Sequence, residues 1–361
     1  MVFCRKFPIP LIINYELEKG VSCMKLTMRL GVRSYDIIVK RGVLKRVGQL
    51  VNLNRRVLVV SDTGVPKKYM KTILAQCGQG VPVVLPQGEE TKSLARYGEI
   101  LGVMLEHGFT RGDAVLALGG GVVGDLAGFA AASYMRGVTF INCPTTTLSQ
   151  IDSSIGGKTA INLNGTKNIV GAFYQPALVA ADPDTLKTLP ERHFINGLAE
   201  AVKAGIIADE QLFELFETAD VHENIEEIIY RSLVMKKNVV EQDEREGGLR
   251  AILNFGHTLG HAIESANHLG DLYHGECVAL GMLPMIEQPA LRRRTRAVYK
   301  KLGLPSRIRY DGDAICEFIR HDKKAATDGK ITVVRAPKLG EARLDKVTLE
   351  ELRAIVKEGV Q

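Results

Sequence analysis

The sequence predicts two domains, an α/β amino-terminal domain and a mainly α-helical carboxy-terminal domain. Three observations predict this. Short β-branched runs alternate with helical patterns as far as about residue 185. One run, Ala114-Val115-Leu116-Ala117-Leu118, is apolar throughout, as strands buried on both faces of a parallel sheet are. Beyond residue 185 helical periodicity dominates and few strand signals remain.

The elements follow in order. Val57-Leu58-Val59-Val60 reads as a strand ending at Ser61-Asp62, and Val81 to Leu85 as a strand running into Pro86-Gln87-Gly88-Glu89. Ser93 is placed to cap a helix that aligns Leu94, Tyr97, Ile100, Leu101, Met104 and Leu105 on one face. Arg111-Gly112-Asp113 breaks the chain before the apolar strand 114–118. Segments 191–218, 222–242, 251–267 and 276–303 read as helices. Ile331-Thr332-Val333-Val334 reads as a short strand, and Thr348 with Glu351 forms a capping box for a last helix, 349–357. The regular pattern begins at Met24-Lys25-Leu26, which makes residues 1–23 an extension or a misplaced start. The expected domains are then 24–185 and 186–361.

Composition narrows the function classes. The 47 Lys+Arg against 41 Asp+Glu leave a net charge of +6, too weak over 361 residues to imply nucleic-acid binding. There is no Trp and no block of five or more consecutive basic residues, so a base-stacking platform or a basic arm has little support. Cys4, Cys23, Cys77, Cys143, Cys277 and Cys316 form no C-x-x-C pair and read as reduced thiols of a cytoplasmic protein. Pro8 and Pro10 interrupt the short apolar stretch at the start, and no run approaches the ~20 apolar residues of a membrane span.

Three constellations carry chemistry. Gly119-Gly120-Gly121-Val122-Val123-Gly124 follows the apolar strand and opens onto Asp125-Leu126-Ala127-Gly128-Phe129. Glycines in that strand–turn–helix context let the backbone approach a pyrophosphate, which makes the first domain Rossmann-like and dinucleotide-binding. The acidic residue usual about 20 positions later is absent, and Asp62, at the end of an earlier strand, is the better candidate for a ribose contact. In His257-Thr258-Leu259-Gly260-His261 two imidazoles lie one helical turn apart, and Thr258 stands where a zincin would carry its catalytic Glu. With His274-Gly275-Glu276 and the lone acid Glu200 of an apolar helix, this set suits Zn²⁺ with a position open for substrate; spacing alone leaves open which His is a ligand and which a base. The third constellation is cationic. Lys158 and Lys167 fall in Gly/Ser-rich segments read as loops, and Arg136, Lys203, Lys236, Lys237, Arg250, Lys323 and Lys324 are further candidates for gripping an anion.

Taken together, GGGVVGDLAGF (119–129), PTTTLSQIDSSIGGKTAIN (144–162), GTKNIVGAF (165–173), LAEAVKAGII (198–207), DEREGGLRAILNFGHTLGHAIE (243–264), HGECVALGM (274–282) and HDKK (321–324) resemble the 3-dehydroquinate synthase family. The resemblance spans roughly residues 25–360 and leaves 1–23 unaligned. It implies Glu200, His257 and His274 as ligands of Zn²⁺ or Co²⁺, with His261 as the acid/base group. Lys158, Lys203, Lys236, Arg250 and Asn254 would join His261 in the catalytic set; Arg136, Asp152, Lys167, Asn168, Lys323 and Lys324 would bind substrate. NAD contacts are implied at Asp62, Glu89, Lys92, Gly120, Gly121, Val122, Asp125, Thr145, Thr146, Lys158, Lys167 and Thr188.

The implied reaction turns 3-deoxy-D-arabino-heptulosonate 7-phosphate into 3-dehydroquinate and phosphate by transient NAD oxidation, phosphate elimination, re-reduction and intramolecular aldol closure. A substrate carrying a carboxylate and a phosphate explains the need for several cations. The expected partners are that phosphorylated sugar acid and a second copy of the chain, without nucleic acid or membrane. Three rivals remain. A metal-dependent polyol dehydrogenase would need no phosphate grip; another sugar phosphate cyclase would lack the substrate carboxylate, making Lys236 and Arg250 discriminating; an inactive NAD-binding scaffold would not need the His set.

Overall fold

The structure, a computed structural model, describes residues 16–18, 21–266, 272–307 and 330–360. The β-branched runs become strands: β1 (Glu16–Glu18), β2 (Val21–Met28), β3 (Tyr35–Val39), β4 (Arg56–Asp62), β5 (Gln79–Leu85), β6 (Ala114–Gly119), β7 (Thr139–Pro144), β8 (Lys158–Leu163), β9 (Thr166–Phe173) and β10 (Leu178–Ala181). Eight of them form one sheet in the order β1-β2-β3-β10-β7-β6-β4-β5, parallel from β3 to β5 and antiparallel at the β1 edge. Pairing thus begins upstream of residue 24, where Glu16–Glu18 meets Val21–Cys23.

Helices α1 (Val47–Leu50), α2 (Lys67–Leu74), α3 (Leu94–Glu106) and α4 (Gly121–Ser133) cover this sheet. Side chains on β6 alternate between two cores, because successive Cβ atoms point to opposite faces. Val115 and Ala117 meet Ile100, Leu126 and Phe140; Leu116 and Leu118 meet Val47, Ile73 and Ile141. Helices on both faces explain why the central strand is apolar throughout, whereas the edge strand β5 alternates buried with exposed. Ser93 caps α3 as expected, accepting the Arg96 N–H.

The described chain divides into two compact units between Phe194 and Ile195. The second unit continues α5 (Glu191–Ala208) and adds α6 (Glu210–Thr218), α7 (Ile225–Gln242), α8 (His257–Ala266), α9 (His274–Met285), α10 (Pro289–Leu302), β11 (Ile331–Arg335), β12 (Arg343–Val347) and α11 (Leu349–Val360). The capping box before α11 is present in both directions, Thr348 N–H to Glu351 at 2.7 Å and Glu351 N–H to Thr348 at 3.2 Å.

Three expected helices are shorter than their periodicity suggests. The segment 191–218 breaks at Asp209, whose carboxylate caps α6 through the Leu212 N–H and is held by Arg231 at 2.9 Å. The segment 251–267 is a 3₁₀ turn, Leu249–Asn254, followed by Gly256 at φ +79°; the α-helix starts only at His257. The segment 276–303 breaks at Ile286, which bridges Ala336, before Pro289 opens α10. The residue before a proline disfavours helix, so this last break had a local cause. The segments around Lys158 and Lys167, expected as loops, are the antiparallel strands β8 and β9, joined by Asn164-Gly165, both at positive φ. That pair is the hairpin turn chemistry that the neighbouring glycines obscured.

Candidate active site

The second unit assembles the carboxylate and imidazoles from three helices. Glu200 lies on α5, His257 opens α8 and His274 opens α9. Glycines permit the approach. A Cβ on Gly281 of α9 would sit 2.1 Å from the Gly256 carbonyl, and one on Gly275 would sit 2.0 Å from the Asn196 carbonyl of α5. The Gly275 N–H also donates to Asn196 Oδ1 at 2.7 Å, tying the start of α9 to α5.

One ligand atom each from Glu200, His257 and His274 lies within 4.8 Å of the others. His257 Nε2 is 3.4 Å and His274 Nε2 3.7 Å from Glu200 Oε1, while the Lys203 ammonium lies against Oε2. Neither Glu200 oxygen accepts a hydrogen bond of ordinary geometry, although the side chain is only 2% exposed. The other ring nitrogens are occupied: His257 Nδ1 is 3.2 Å from the Phe255 carbonyl and His274 Nδ1 is 3.1 Å from Glu264. Such partners turn both Nε2 atoms toward Glu200 and fix the tautomer a metal requires. The donor set therefore fits a divalent cation of the Zn²⁺ type. His261 sits beside it, with ring centroids 5.4 Å from His257 and 5.8 Å from His274.

Two of the three groups, Glu200 and His257, are in the charge state a metal requires. Burial raises the Glu200 carboxyl, but Lys203, then His257 and His274, outweigh it and hold it well below the usual carboxylate range. Burial, with the Lys203 charge, pushes His257 down to about 3, so it is neutral. His274 is raised to about 9, because Glu200 and Glu264 overcome its own burial. A second group in this unit comprises Lys236 on α7 and Arg250 and Asn254 on the 3₁₀ turn packed against that helix. Arg250 is held through its N–H to Asp243 at 2.9 Å and its guanidinium to the Glu244 carbonyl; Asn254 donates to Glu246 at 2.8 Å. Lys203, Lys236 and Arg250 are all buried.

The first unit gathers the dinucleotide candidates at the carboxyl ends of adjacent parallel strands, where open α/β sheets bind ligands. Asp62 ends β4, Glu89 and Lys92 follow β5, Gly120-Gly121-Val122 follow β6, and Thr145-Thr146 follow β7. The strand order reverses between β4 and β6, so Asp62 and the glycine turn flank the switch point. The Thr145 N–H donates to the Gly119 carbonyl at 2.9 Å, joining the last two segments. Burial raises the Asp62 carboxyl, opposed by the N–H groups of Gly64 and Val65. Thr188 meets Tyr69 of α2 at 3.0 Å.

Lys92, buried, donates to Asp125 at 2.7 Å and to Asn168 Oδ1, so one cation joins a residue expected to contact NAD and one expected to bind substrate. Asp152 lies on the π-turn Ser149–Ser153, and Lys158, at the start of β8, lines a small pocket with Gly124, Asp125 and Asn142. Lys167 and Asn168 lie on β9; Arg136 is exposed, at φ +68°. Lys323 and Lys324 lie outside the described residues. Sequence reasoning missed Glu264 and Asn162. Glu264 had a signal, because it lies one turn beyond His261 on the same helix.

Comparison with known proteins gives the following. A family model described as 3-dehydroquinate synthase N-terminal matches residues 82–196, and one described as 3-dehydroquinate synthase C-terminal matches residues 197–325. The 3-dehydroquinate synthase of Streptococcus mutans is 40% identical over 352 residues, which cover 91% of this chain and 99% of the relative. That of Lactococcus lactis subsp. cremoris is 40% identical over 356 residues, covering 92% and 100%. Among solved structures, 2-deoxy-scyllo-inosose synthase complexed with carbaglucose-6-phosphate, NAD⁺ and Co²⁺ superposes with a TM-score of 0.84 at 26% identity, covering 93% of this chain and 100% of that one. The 2-epi-5-epi-valiolone synthase of Streptomyces hygroscopicus subsp. jinggangensis, with NAD⁺ and Zn²⁺ bound, gives 0.78 at 28% identity, covering 90% and 96%.

Proposed function

The chain belongs to the 3-dehydroquinate synthase family, and from that premise we propose how its residues divide the reaction between them. The enzyme is a carbon–oxygen lyase acting on 3-deoxy-D-arabino-heptulosonate 7-phosphate, releasing phosphate and forming 3-dehydroquinate in the shikimate pathway. It uses NAD and a divalent metal, Zn²⁺ or Co²⁺. One observation carries the assignment of roles: the Glu200, His257 and His274 ligand atoms converge beside the buried Lys203 ammonium.

When bound, NAD⁺ supplies a reversible hydride acceptor and the metal supplies Lewis acidity at the C5 carbinol. Glu200, His257 and His274 hold the metal. His261 receives the carbinol proton, a task for which a neutral imidazole suits pH near 7. Oxidation at C5 acidifies the neighbouring C–H and makes loss of phosphate feasible, and the substrate's own phosphate oxygen serves as the base for that elimination. Bound NAD would be regenerated within the turnover, and ring opening with aldol closure completes the product.

Lys158, Lys203, Lys236, Arg250 and Asn254 hold the carboxylate and hydroxyls. Lys203, Lys236 and Arg250 place three buried positive charges in one unit, which favours an anionic substrate. Arg136, Lys167, Asn168 and the Lys323–Lys324 pair grip the phosphate, and Asp152 orients a hydroxyl. Asp62, Glu89, Lys92, Gly120, Gly121, Val122, Asp125, Thr145, Thr146 and Thr188 bind NAD. Their position at the carboxyl ends of β4, β5, β6 and β7, with Thr188 beyond β10, supports this. The two units, divided between Phe194 and Ile195, then separate cofactor binding from metal binding.

No helix among the described residues is long and apolar enough to cross a membrane. Cys77, Cys143 and Cys277, none of them in a disulfide, support a cytoplasmic location. Exposed Leu163, Ile169 and Phe173 on the β8–β9 hairpin support a homodimer.

The test is turnover with catalytic cofactor. Given the heptulosonate phosphate, Zn²⁺ and substoichiometric NAD⁺, the purified chain is expected to release many phosphates per NAD⁺ with no lasting NADH. No phosphate release would overturn the reading, and so would NADH accumulating mole for mole with product.

A further inference from the structure

Strands β8 and β9 pair regularly from Lys158↔Phe173 to Ile161↔Val170, and the next pair is Leu163↔Thr166. Between those pairs the single residue Asn162 faces the three residues 167–169, so β9 bulges outward where it carries Lys167 and Asn168. Bulges of this kind re-aim side chains next to active sites and leave ladder groups unpaired. Here the Asn162 side chain takes the place of the missing ladder bond. Its Oδ1 accepts the Asn168 N–H at 2.8 Å, with Asn168 held at φ +56°. Its Nδ2 donates to Glu89 Oε1 at 2.8 Å, and its own N–H donates to the Lys92 carbonyl at 2.7 Å. Ser93 and Asn162 also form an isolated parallel bridge. Asn162 thus spends a donor and an acceptor on two different segments, one assigned to NAD and one to the substrate phosphate.

We propose that Asn162 is a positioning residue that couples the Glu89–Lys92 segment to the Lys167–Asn168 bulge, so that occupancy by NAD sets the geometry of the phosphate grip. The inference rests on the roles given to those two segments above. Ordering Glu89 and Lys92 around the dinucleotide draws the Lys92 ammonium and the Asn162 amide into one arrangement, and both end on Asn168. The coupling is reciprocal: whatever factor NAD⁺ contributes to anion binding, the anion contributes to NAD⁺ binding.

The experiment titrates the Zn²⁺-loaded full chain with inorganic phosphate, with and without saturating NAD⁺, following binding directly and independently of turnover. The wild-type chain is expected to bind phosphate about tenfold more tightly with NAD⁺, the order of one good hydrogen bond. In Asn162→Ala that factor falls to one, and KM for the heptulosonate phosphate rises about tenfold while thermal stability changes little. Asn162→Asp keeps the acceptor for the Asn168 N–H but sets a carboxylate against Glu89. It is expected to retain phosphate binding without NAD⁺ and to lose the coupling, which keeps the test decisive should the alanine variant fold poorly. A wild-type factor of one, or an undiminished factor in both variants, overturns the inference. A fall in thermal stability alone, with coupling and KM intact, shows a merely structural residue and overturns it as well. If the wild-type chain releases no phosphate from the heptulosonate phosphate yet the coupling vanishes in the variants, the reaction assignment fails while this inference stands.

Discussion

Replacing Glu264 by Gln separates two effects that the structure superimposes on metal binding. Of the three proposed ligands, Glu200 is already ionised and His257 already neutral near pH 7, so only His274 has a proton to lose. Its raised value of about 9 leaves it protonated at neutral pH, the form that cannot coordinate. The sign follows: affinity for the metal rises with pH, about tenfold per unit, up to the neighbourhood of pH 9, and then levels off. Glu264 contributes to that elevation and also orients the ring through the 3.1 Å contact at Nδ1. The glutamine variant loses the charge, which lowers the His274 value and eases proton competition. It also loses a charged orienting partner, which weakens binding about 10–100-fold. Above pH 9 only the second effect remains, so the variant binds more weakly there; toward pH 6.5 the two effects oppose and the affinities converge. Competition for Co²⁺ against a chromophoric chelator between pH 6.5 and 9.5 reads both curves. A wild-type affinity independent of pH refutes the reasoning, as does a variant weaker by one constant factor throughout.

Two further predictions concern stability. Gly281→Ala puts a methyl 2.1 Å from the Gly256 carbonyl, so α8 and α9 must separate; a loss of about 1–3 kcal/mol in urea unfolding and a reduced metal content are expected, and a normal metal content would contradict the packing account. Arg231→Met leaves the buried Asp209 carboxylate without its two 2.9 Å partners, for a loss of about 3–5 kcal/mol, whereas a change below about 1 kcal/mol would show that the α6 cap does not depend on the pair.

Much of the fold was legible because its signals are local. Periodicity two in the β-branched runs, Ser93 before an apolar face, and the Thr348–Glu351 box each act within a few residues. Two of the three misjudged helices break for reasons distant in sequence. Leu249–Ala266 carries continuous apolar spacing, but Gly256 takes a positive φ at a point where a Cβ would sit 2.5 Å from Met282 and 2.8 Å from the Val278 carbonyl of α9, and no local pattern encodes that close approach. Asp209 breaks its helix because Arg231, distant in sequence, holds it. The site was legible in part. His257 and His261 announced themselves by i, i+4 spacing, and Lys203 lies one turn from Glu200 as expected. The spacing did not separate ligand from base, since that depends on which imidazoles the fold brings to Glu200. Asn162 was silent for a related reason: its role arises from a bulge in a strand that the sequence presents as a loop.

The proposed chemistry divides metal binding and proton transfer between His257 and His261, two imidazoles one turn apart with ring centroids 5.4 Å from each other. Metal content and phosphate release measured on the same preparations of His257→Ala and His261→Ala test it directly. His257→Ala is expected to lose bound Zn²⁺ and turnover together. His261→Ala is expected to keep a full equivalent of Zn²⁺ and to lose turnover by about 10²–10⁴-fold, the range for removing a general acid–base group. Full metal in both variants, or metal lost from His261→Ala and retained in His257→Ala, would contradict the assignment.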